Sequence, residues 1–265
     1  MNENPQPASP AAPEEDARDR AVDAEIARHT RRSFLVGGIA AVAGLGTWEW
    51  LKSSHSEGDV PWPLRQSLQV NEQLTRSYFR PARLAKEFPL AEAGMPKING
   101  ELGLDDDDFD LDKWSVQVDG LAADDDSVTL SMSDIRALPR IEMVTELKCI
   151  EGWSKKVQWA GARFADFARR YKPATDAHDS YVALRTPDNQ YYVGIDLASA
   201  LHPQTLLCYE MNGRPLEDDH GAPLRLVIPI KYGIKNLKRI GGIAYSASRP
   251  PDYWAERGYD YYSGF

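Results

Sequence analysis

Apolar and polar positions alternate through Trp114-Ser115-Val116-Gln117-Val118-Asp119 before Gly120. A period of two is the mark of a half-buried strand running into a turn. Thr129-Leu130 leads into Ser131-Met132-Ser133-Asp134, a Ser-x-x-acid start for a short helix that Pro139 ends. Ile141 to Leu147 is an apolar, strand-like run that stops before Cys149 and breaks at Gly152. After Trp159 and Gly161 the period lengthens. Phe164, Phe167, Ala168 and Tyr171 fall at i, i+3, i+4 and i+7, one face of a helix, with Arg163, Asp166, Arg169 and Arg170 largely off it. Further strands are predicted at Tyr181–Thr186, Tyr191–Ile195, Leu206–Met211, Leu224–Ile230 and Gly241–Ser246. Asp196 caps a short helix from Leu197 to Leu201, and Asn212-Gly213 is a hairpin turn signal. Many strands with few, short helices predict an α+β fold and not alternating βαβ units.

The N-terminal third follows a different pattern. Residues 1–30 are rich in Ala, Pro, Glu and Asp with almost no large apolar side chains, the composition of a disordered tail. At 31–51 an arginine pair, Arg31-Arg32, precedes Ser33-Phe34-Leu35 and a glycine-containing apolar run. This resembles a twin-arginine export signal. The run is short for a relaxed bilayer span, and no clean small-x-small cleavage site follows. The segment is therefore read either as a signal or as a retained anchor, with Trp48 and Trp50 at the membrane interface. Residues 52–92, with Pro61, Pro63, Pro81 and Pro89, read as an extended lead-in to a domain spanning 93–265.

Composition narrows the function. The 265-residue chain carries a formal net charge of -9, much of it in the runs Glu14-Glu15-Asp16, Asp105 to Asp108 and Asp124 to Asp126. An acidic chain is a poor nucleic-acid binder. Lys231 to Arg239 reverses the sign locally, which points to a small anionic ligand. No internal repeat, Walker loop, Rossmann fingerprint or zinc-ligand spacing is present. The two cysteines, Cys149 and Cys208, cannot make a disulfide framework, although one bridge between them is open. Cys149, where a strand gives way to a loop, suits a soft-metal ligand or a nucleophile, or a small buried hydrophobe. Cys208, inside an apolar run, reads as a core thiol.

The ordered set Cys149-Ile150-Glu151-Gly152-Trp153-Ser154, Tyr181 to Thr186, His202-Pro203, Gly221-Ala222-Pro223-Leu224-Arg225 and Lys231 to Lys238 resembles the molybdopterin-binding domain of the sulfite oxidase superfamily. The likeness is greatest to the periplasmic branch that includes the catalytic subunit of a methionine-sulfoxide reductase system. It implies Mo-molybdopterin as cofactor, with Cys149 as the protein thiolate on molybdenum and Glu151 as an acid beside it. It further implies that Thr186 bonds the pterin and that Asn99 sits at its near end. Arg225, Lys238 and the backbone of Asn236 and Leu237 would hold the phosphate. His220 stands where the periplasmic reductase has Asn. Trp153 and Trp159 read as packing, and His202 as a loop histidine.

The expected function is two-electron oxygen-atom transfer in the periplasm, after twin-arginine export. An acid and an aromatic after the cysteine favour a neutral sulfoxide over sulfite as the small-molecule substrate. With no haem motif in the chain, electrons would come from a membrane b-type cytochrome or another redox protein. The alternatives are a sulfite dehydrogenase, a cofactor-free scaffold of the same fold, and a cysteine hydrolase using His178, His202 or His220.

Overall fold

The computed structural model describes residues 33, 36, 38–57, 60–104, 109–122, 126–175 and 180–265. The chain divides into two compact units, residues 1–55 and 56–265. In the first, residues 38–53 form a helix, α1, that exposes Val42, Leu45, Trp48 and Trp50. Among the described residues no helix is long and apolar enough to cross a membrane. The expected disordered tail and the arginine pair of the export signal lie outside the described residues.

The second unit begins with a two-residue hairpin, β1 (Ser56–Glu57) with β2 (Val60–Pro61), followed by α2 (Trp62–Tyr78). Here the extended lead-in is corrected: residues 62–78 are helical. Two of the prolines that suggested extension, Pro61 and Pro63, sit at the start of the helix, where a missing N–H costs nothing. α2 packs on the C-terminal segment. Arg65 Nη1 donates to the Ala255 carbonyl at 2.6 Å, and Arg249 pairs with Glu72 at 3.0 Å.

The remaining strands make two five-stranded sheets. One is β5 (Arg140–Lys148), β6 (Ser154–Arg163), β9 (Leu206–Met211) and β10 (Arg214–Pro215) in spatial order β10-β9-β6-β5, with β11 (Arg225–Val227) also paired to β9. Every pair in it is antiparallel. The other runs β4-β3-β12-β7-β8, from β3 (Val116–Asp119), β4 (Ser127–Leu130), β7 (Tyr181–Arg185), β8 (Tyr192–Asp196) and β12 (Gly242–Ser246). Only β3 and β12 pair in parallel there. The short helices are α3 (Met132–Arg136), α4 (Phe164–Arg170), α5 (Leu197–Ala200) and α6 (Tyr253–Glu256).

The α+β architecture is as the pattern predicts, and the caps work as expected. Ser131 N–H donates to Asp134 at 2.9 Å, and Asp196 accepts from Ser199 N–H at 2.8 Å. The larger core draws on both sheets and α4, with Val116, Val118, Phe164, Phe167, Leu184, Ile195, Leu207 and Leu226 all buried. Two strands depart from prediction. β6, ten residues long, is missing from the sequence reading because its apolar half lacks period two: Val157 to Ala162 is buried at every position. A strand covered on both faces has no polar alternation to read. The predicted run Leu224–Ile230 pairs only over Arg225–Val227. The open bridge is also settled: Cys149 and Cys208 are both free thiols. Cys208 is fully buried, and burial pushes its thiol up to about 12.

Candidate functional site

β5 and β6 pair from Arg140↔Ala162 to Lys148↔Ser154, and the connection between them carries Cys149. It is a tight turn. Cys149 N–H donates to the Trp153 carbonyl at 2.9 Å, and Gly152 N–H to the Cys149 carbonyl at 3.2 Å. Gly152 takes φ +86°, a left-handed conformation that glycine adopts without strain. The turn leaves Cys149 half-buried, facing a cavity of about 320 Å³. Its walls come from separate parts of the chain: the Asn99–Leu102 loop, the β5–β6 turn, Arg225 on β11, the loop of Gly233, Asn236 and Lys238, and Trp254 and Tyr259 near the C-terminus.

At the cysteine end the lining is apolar and acidic: Leu147, Ile150, Glu151 and Trp153. Asn99 Nδ2 lies 3.6 Å from the sulfur, and the Glu151 carboxylate accepts from Trp153 Nε1 at 2.9 Å. Burial and the Glu151 charge push the Cys149 thiol up, so it is protonated at neutral pH. Lys148, next in sequence, turns away and lies 3.7 Å from the centre of the Phe265 ring.

The other end is cationic. Arg225 is 3% exposed, and among the described residues no carboxylate lies within 4.0 Å of it. Its Nη1 donates to the His220 carbonyl at 2.9 Å and its Nη2 to the Asn236 carbonyl at 3.3 Å, while its Nε has no partner. Its guanidinium also stands 5.0 Å from the Trp159 ring. Lys238 Nζ donates to the carbonyls of Asn99 at 2.7 Å and Gly100 at 3.1 Å. Burial, with Arg225 beside it, pushes the Lys238 ammonium down to about 8. Two cations held by carbonyls, one with an orphaned buried donor, form a site that an anion completes. Close packing makes this corner. A Cβ at Gly221 (φ +93°) would stand 2.7 Å from Lys238 Cβ and 2.8 Å from Arg239 N, so the 221 turn approaches the cationic loop only as glycine.

Of the residues expected at the site, Asn99, Cys149, Glu151, Arg225, Asn236 and Lys238 line this one cavity; Thr186, His220 and Leu237 do not. The Thr186 hydroxyl donates to Asp188 Oδ1 at 2.5 Å and accepts from Tyr191 N–H at 3.1 Å, closing its own turn. His220 is buried, reaches Arg225 through its carbonyl, and has its imidazole kept neutral by burial and the two cations. Leu237 is in the core, its carbonyl accepting from Leu226 N–H at 2.8 Å. The Asn236 side chain is also engaged, accepting from Ile228 N–H at 2.9 Å and donating to the Tyr232 carbonyl at 3.2 Å. Trp153, expected as packing, lines the cavity, whereas Trp159 is buried in the smaller core. His202 is a satisfied loop histidine, with Nε2 3.2 Å from the Arg83 carbonyl. His178 lies outside the described residues, and no histidine is among the described residues lining the cavity, so a Cys–His hydrolase has no base there. The sequence reading missed Tyr191, Trp254 and Tyr259. The aromatic density of the C-terminal segment is the only signal that could have suggested the last two.

Comparison with known proteins agrees with this geometry. Residues 103–254 match the family described as oxidoreductase molybdopterin binding domain. A protein of Azospira oryzae, provisionally named protein-methionine-sulfoxide reductase subunit YedZ1, is 32% identical over 88% of this chain and 86% of its own length. The protein-methionine-sulfoxide reductase catalytic subunit MsrP of Xanthomonas campestris is 32% identical over 54% of this chain, which spans about half of that protein (48%). The uncharacterized oxidoreductase YuiH of Bacillus subtilis is 35% identical over 57% of this chain and 74% of its own length. The chain belongs to the oxidoreductase molybdopterin binding domain family, and it is a molybdopterin-dependent oxidoreductase.

Proposed function

We propose that the protein reduces a sulfoxide, that it does so in the periplasm after twin-arginine export, and that another redox protein, a membrane b-type cytochrome by analogy, delivers the electrons. The observation that carries the substrate class is the cysteine end of the cavity. Glu151, Trp153, Ile150 and Leu147 line it, and Lys148 points elsewhere. An anionic sulfite would meet a carboxylate there, whereas a neutral sulfoxide meets apolar and aromatic surface suited to its alkyl groups. The names of the Azospira and Xanthomonas relatives support the same substrate class.

The residues present fit the cofactor. Cys149 supplies a soft sulfur ligand, and it gives up its raised proton on binding a metal. Arg225, with its unpartnered Nε, and Lys238 supply charge-assisted donors for a phosphate. Asn99 bridges the two ends, with its amide toward the Cys149 sulfur and its carbonyl on Lys238. When bound, the molybdenum centre supplies two-electron oxygen-atom transfer. The chain's share is binding, orientation and proton supply. Reduction of a sulfoxide consumes two protons and two electrons and releases a sulfide and water. Glu151, fixed by Trp153 at the cavity wall, is the group that moves protons there.

The deciding assay compares the purified holoenzyme on methionine sulfoxide with a reduced dye and on sulfite with an oxidised cytochrome. Sulfoxide turnover is expected. Sulfite oxidation without sulfoxide reduction would replace this reading with a sulfite dehydrogenase.

A further inference from the structure

The turn Gly233–Lys235 touches both ends of the catalytic cavity. On one side it abuts the cysteine strand. A Cβ at Gly233 would lie 3.3 Å from the Lys148 carbonyl oxygen and 3.8 Å from Cys149 Cα. On the other side it leads into Asn236, whose carbonyl accepts from Arg225 Nη2 at 3.3 Å. A shift of the turn therefore reaches Arg225, the guanidinium with the unpartnered Nε. Within the turn, Lys235 N–H donates to the Tyr232 carbonyl and Asn236 N–H to the Gly233 carbonyl, both at 2.9 Å. The Ile234 carbonyl between them accepts from the Tyr191 hydroxyl at 2.5 Å.

Tyr191 is itself pinned. Its N–H donates to Thr186 Oγ1 at 3.1 Å, and its carbonyl accepts from Thr186 N–H at 2.9 Å. Its ring stands edge-on to Tyr253, with centroids 5.5 Å apart at 87°. It immediately precedes β8, and β8 grips the same turn at a second point, where the Gly194 carbonyl accepts from Lys235 Nζ at 3.0 Å. Burial and the Asp252 charge hold the Tyr191 phenol well above its ordinary range, so the hydroxyl keeps its proton and stays a donor. That proton is committed to a backbone carbonyl, which leaves the phenol unsuited to acid–base chemistry at Cys149.

We propose that Tyr191 is a positioning residue of the cofactor site: by holding the Ile234 carbonyl it fixes the 233–236 turn, and through the Asn236 carbonyl it sets the Arg225 guanidinium for the phosphate. This rests on the reading of Arg225 as part of the anion site, and it is independent of which substrate the enzyme takes. It also gives Thr186 a use at one remove, because that threonine anchors the backbone of Tyr191. Tyr191→Phe keeps the ring and its packing on Tyr253. It removes only the donor, so the Ile234 carbonyl loses its partner and the turn loses one of its two ties to β8.

The test follows release of cofactor from the purified holoenzyme, read as pterin fluorescence in the filtrate over time. Tyr191→Phe should release cofactor about two- to ten-fold faster, the value of one hydrogen bond. Tyr191→p-aminophenylalanine, whose N–H can donate to the same carbonyl, should restore slow release. Arg225→Met should speed release by itself, and adding Tyr191→Phe to it should change little more, because groups that act through one another are not additive. Equal release from wild type and Tyr191→Phe would overturn the positioning role and leave the anion site standing. So would a Tyr191→Phe factor that is the same with and without Arg225, or no restoration by the amino variant. Release unmoved by Arg225→Met would overturn the anion site as well.

Discussion

Two groups of cations lie within fifteen residues of each other and do opposite work. Lys231 and Lys235 are fully buried, and each has an acid. Lys235 pairs with Asp252 at 2.5 Å and donates to the Gly194 carbonyl at 3.0 Å; Lys231 lies 3.5 Å from Asp196 and donates to the Tyr262 carbonyl at 2.8 Å. Arg225 and Lys238 have carbonyls only, and one guanidinium nitrogen has nothing. Burial depresses all four, Lys231 to about 7, Lys238 to about 8, Arg225 to about 10, and Lys235 as well. In the first pair a carboxylate offsets that cost and the cation joins α6 and β8 to the loop. In the second the offset is missing, and an incoming anion provides it. A buried cation with an acid is framework, and one without is a binding site.

Four experiments bear on that contrast. The largest effect is expected on the paired side. Asp252→Ala leaves Lys235 without its acid, and breaking a buried pair this way costs about 3–5 kcal/mol; denaturant unfolding of the cofactor-free protein should record the loss. A fall under 1 kcal/mol would mean that Lys235 does not depend on Asp252. On the unpaired side, Arg225→Met should weaken cofactor retention by about 2–5 kcal/mol, as for removal of a buried hydrogen-bonded charge, with cofactor-free stability changed far less than by Asp252→Ala. Molybdenum and pterin analysis beside the same unfolding curve measures both, and a stable variant that keeps its pterin would break the comparison.

Lys238→Met should cost about 1.5–3 kcal/mol of cofactor affinity, the value of a hydrogen bond to a charged group. Its pH behaviour is the finest test. Lys238 titrates at about 8 when folded, against an ordinary 10.5. Below pH 8 it is charged in both folded and unfolded chains. Between about 8 and 10.5 only the unfolded chain holds the proton, so the cofactor-free protein gains stability from this group as pH rises. Cofactor affinity runs the other way, because the phosphate needs the charged amine. It should fall by up to about tenfold per pH unit above 8, and Lys238→Met should flatten that slope. An unaltered slope in the variant would assign the dependence elsewhere.

The sequence alone could not separate these two groups. Lys231 to Arg239 reads as one basic, glycine-containing loop, and its cations look interchangeable. Asp196 and Asp252, which set two of them apart, lie 35 and 17 positions from Lys231 and Lys235 (231 − 196; 252 − 235). Arg239 is set apart as well, turned to Asp218 at 3.3 Å and to the Ala222 carbonyl. Thr186 shows the opposite limit. The resemblance implied that it bonds the pterin, and in the structure its hydroxyl bonds within the following turn.

What the chain determined by itself was local. The strand periods, the Ser131 and Asp196 caps, the Asn212-Gly213 hairpin and the exposed break after Cys149 depend on neighbours a few residues away, and each is legible in order along the sequence. Membership of the family was legible too, because it rests on an ordered set of such segments. Tertiary structure decided the rest. It covered both faces of β6, brought the 99–102 loop, β11 and the C-terminal aromatics around Cys149, and fixed which buried cation has an acid. Burial energies and pairing depend on which groups meet in space, and residues more than a hundred positions apart meet only after the sheets have packed.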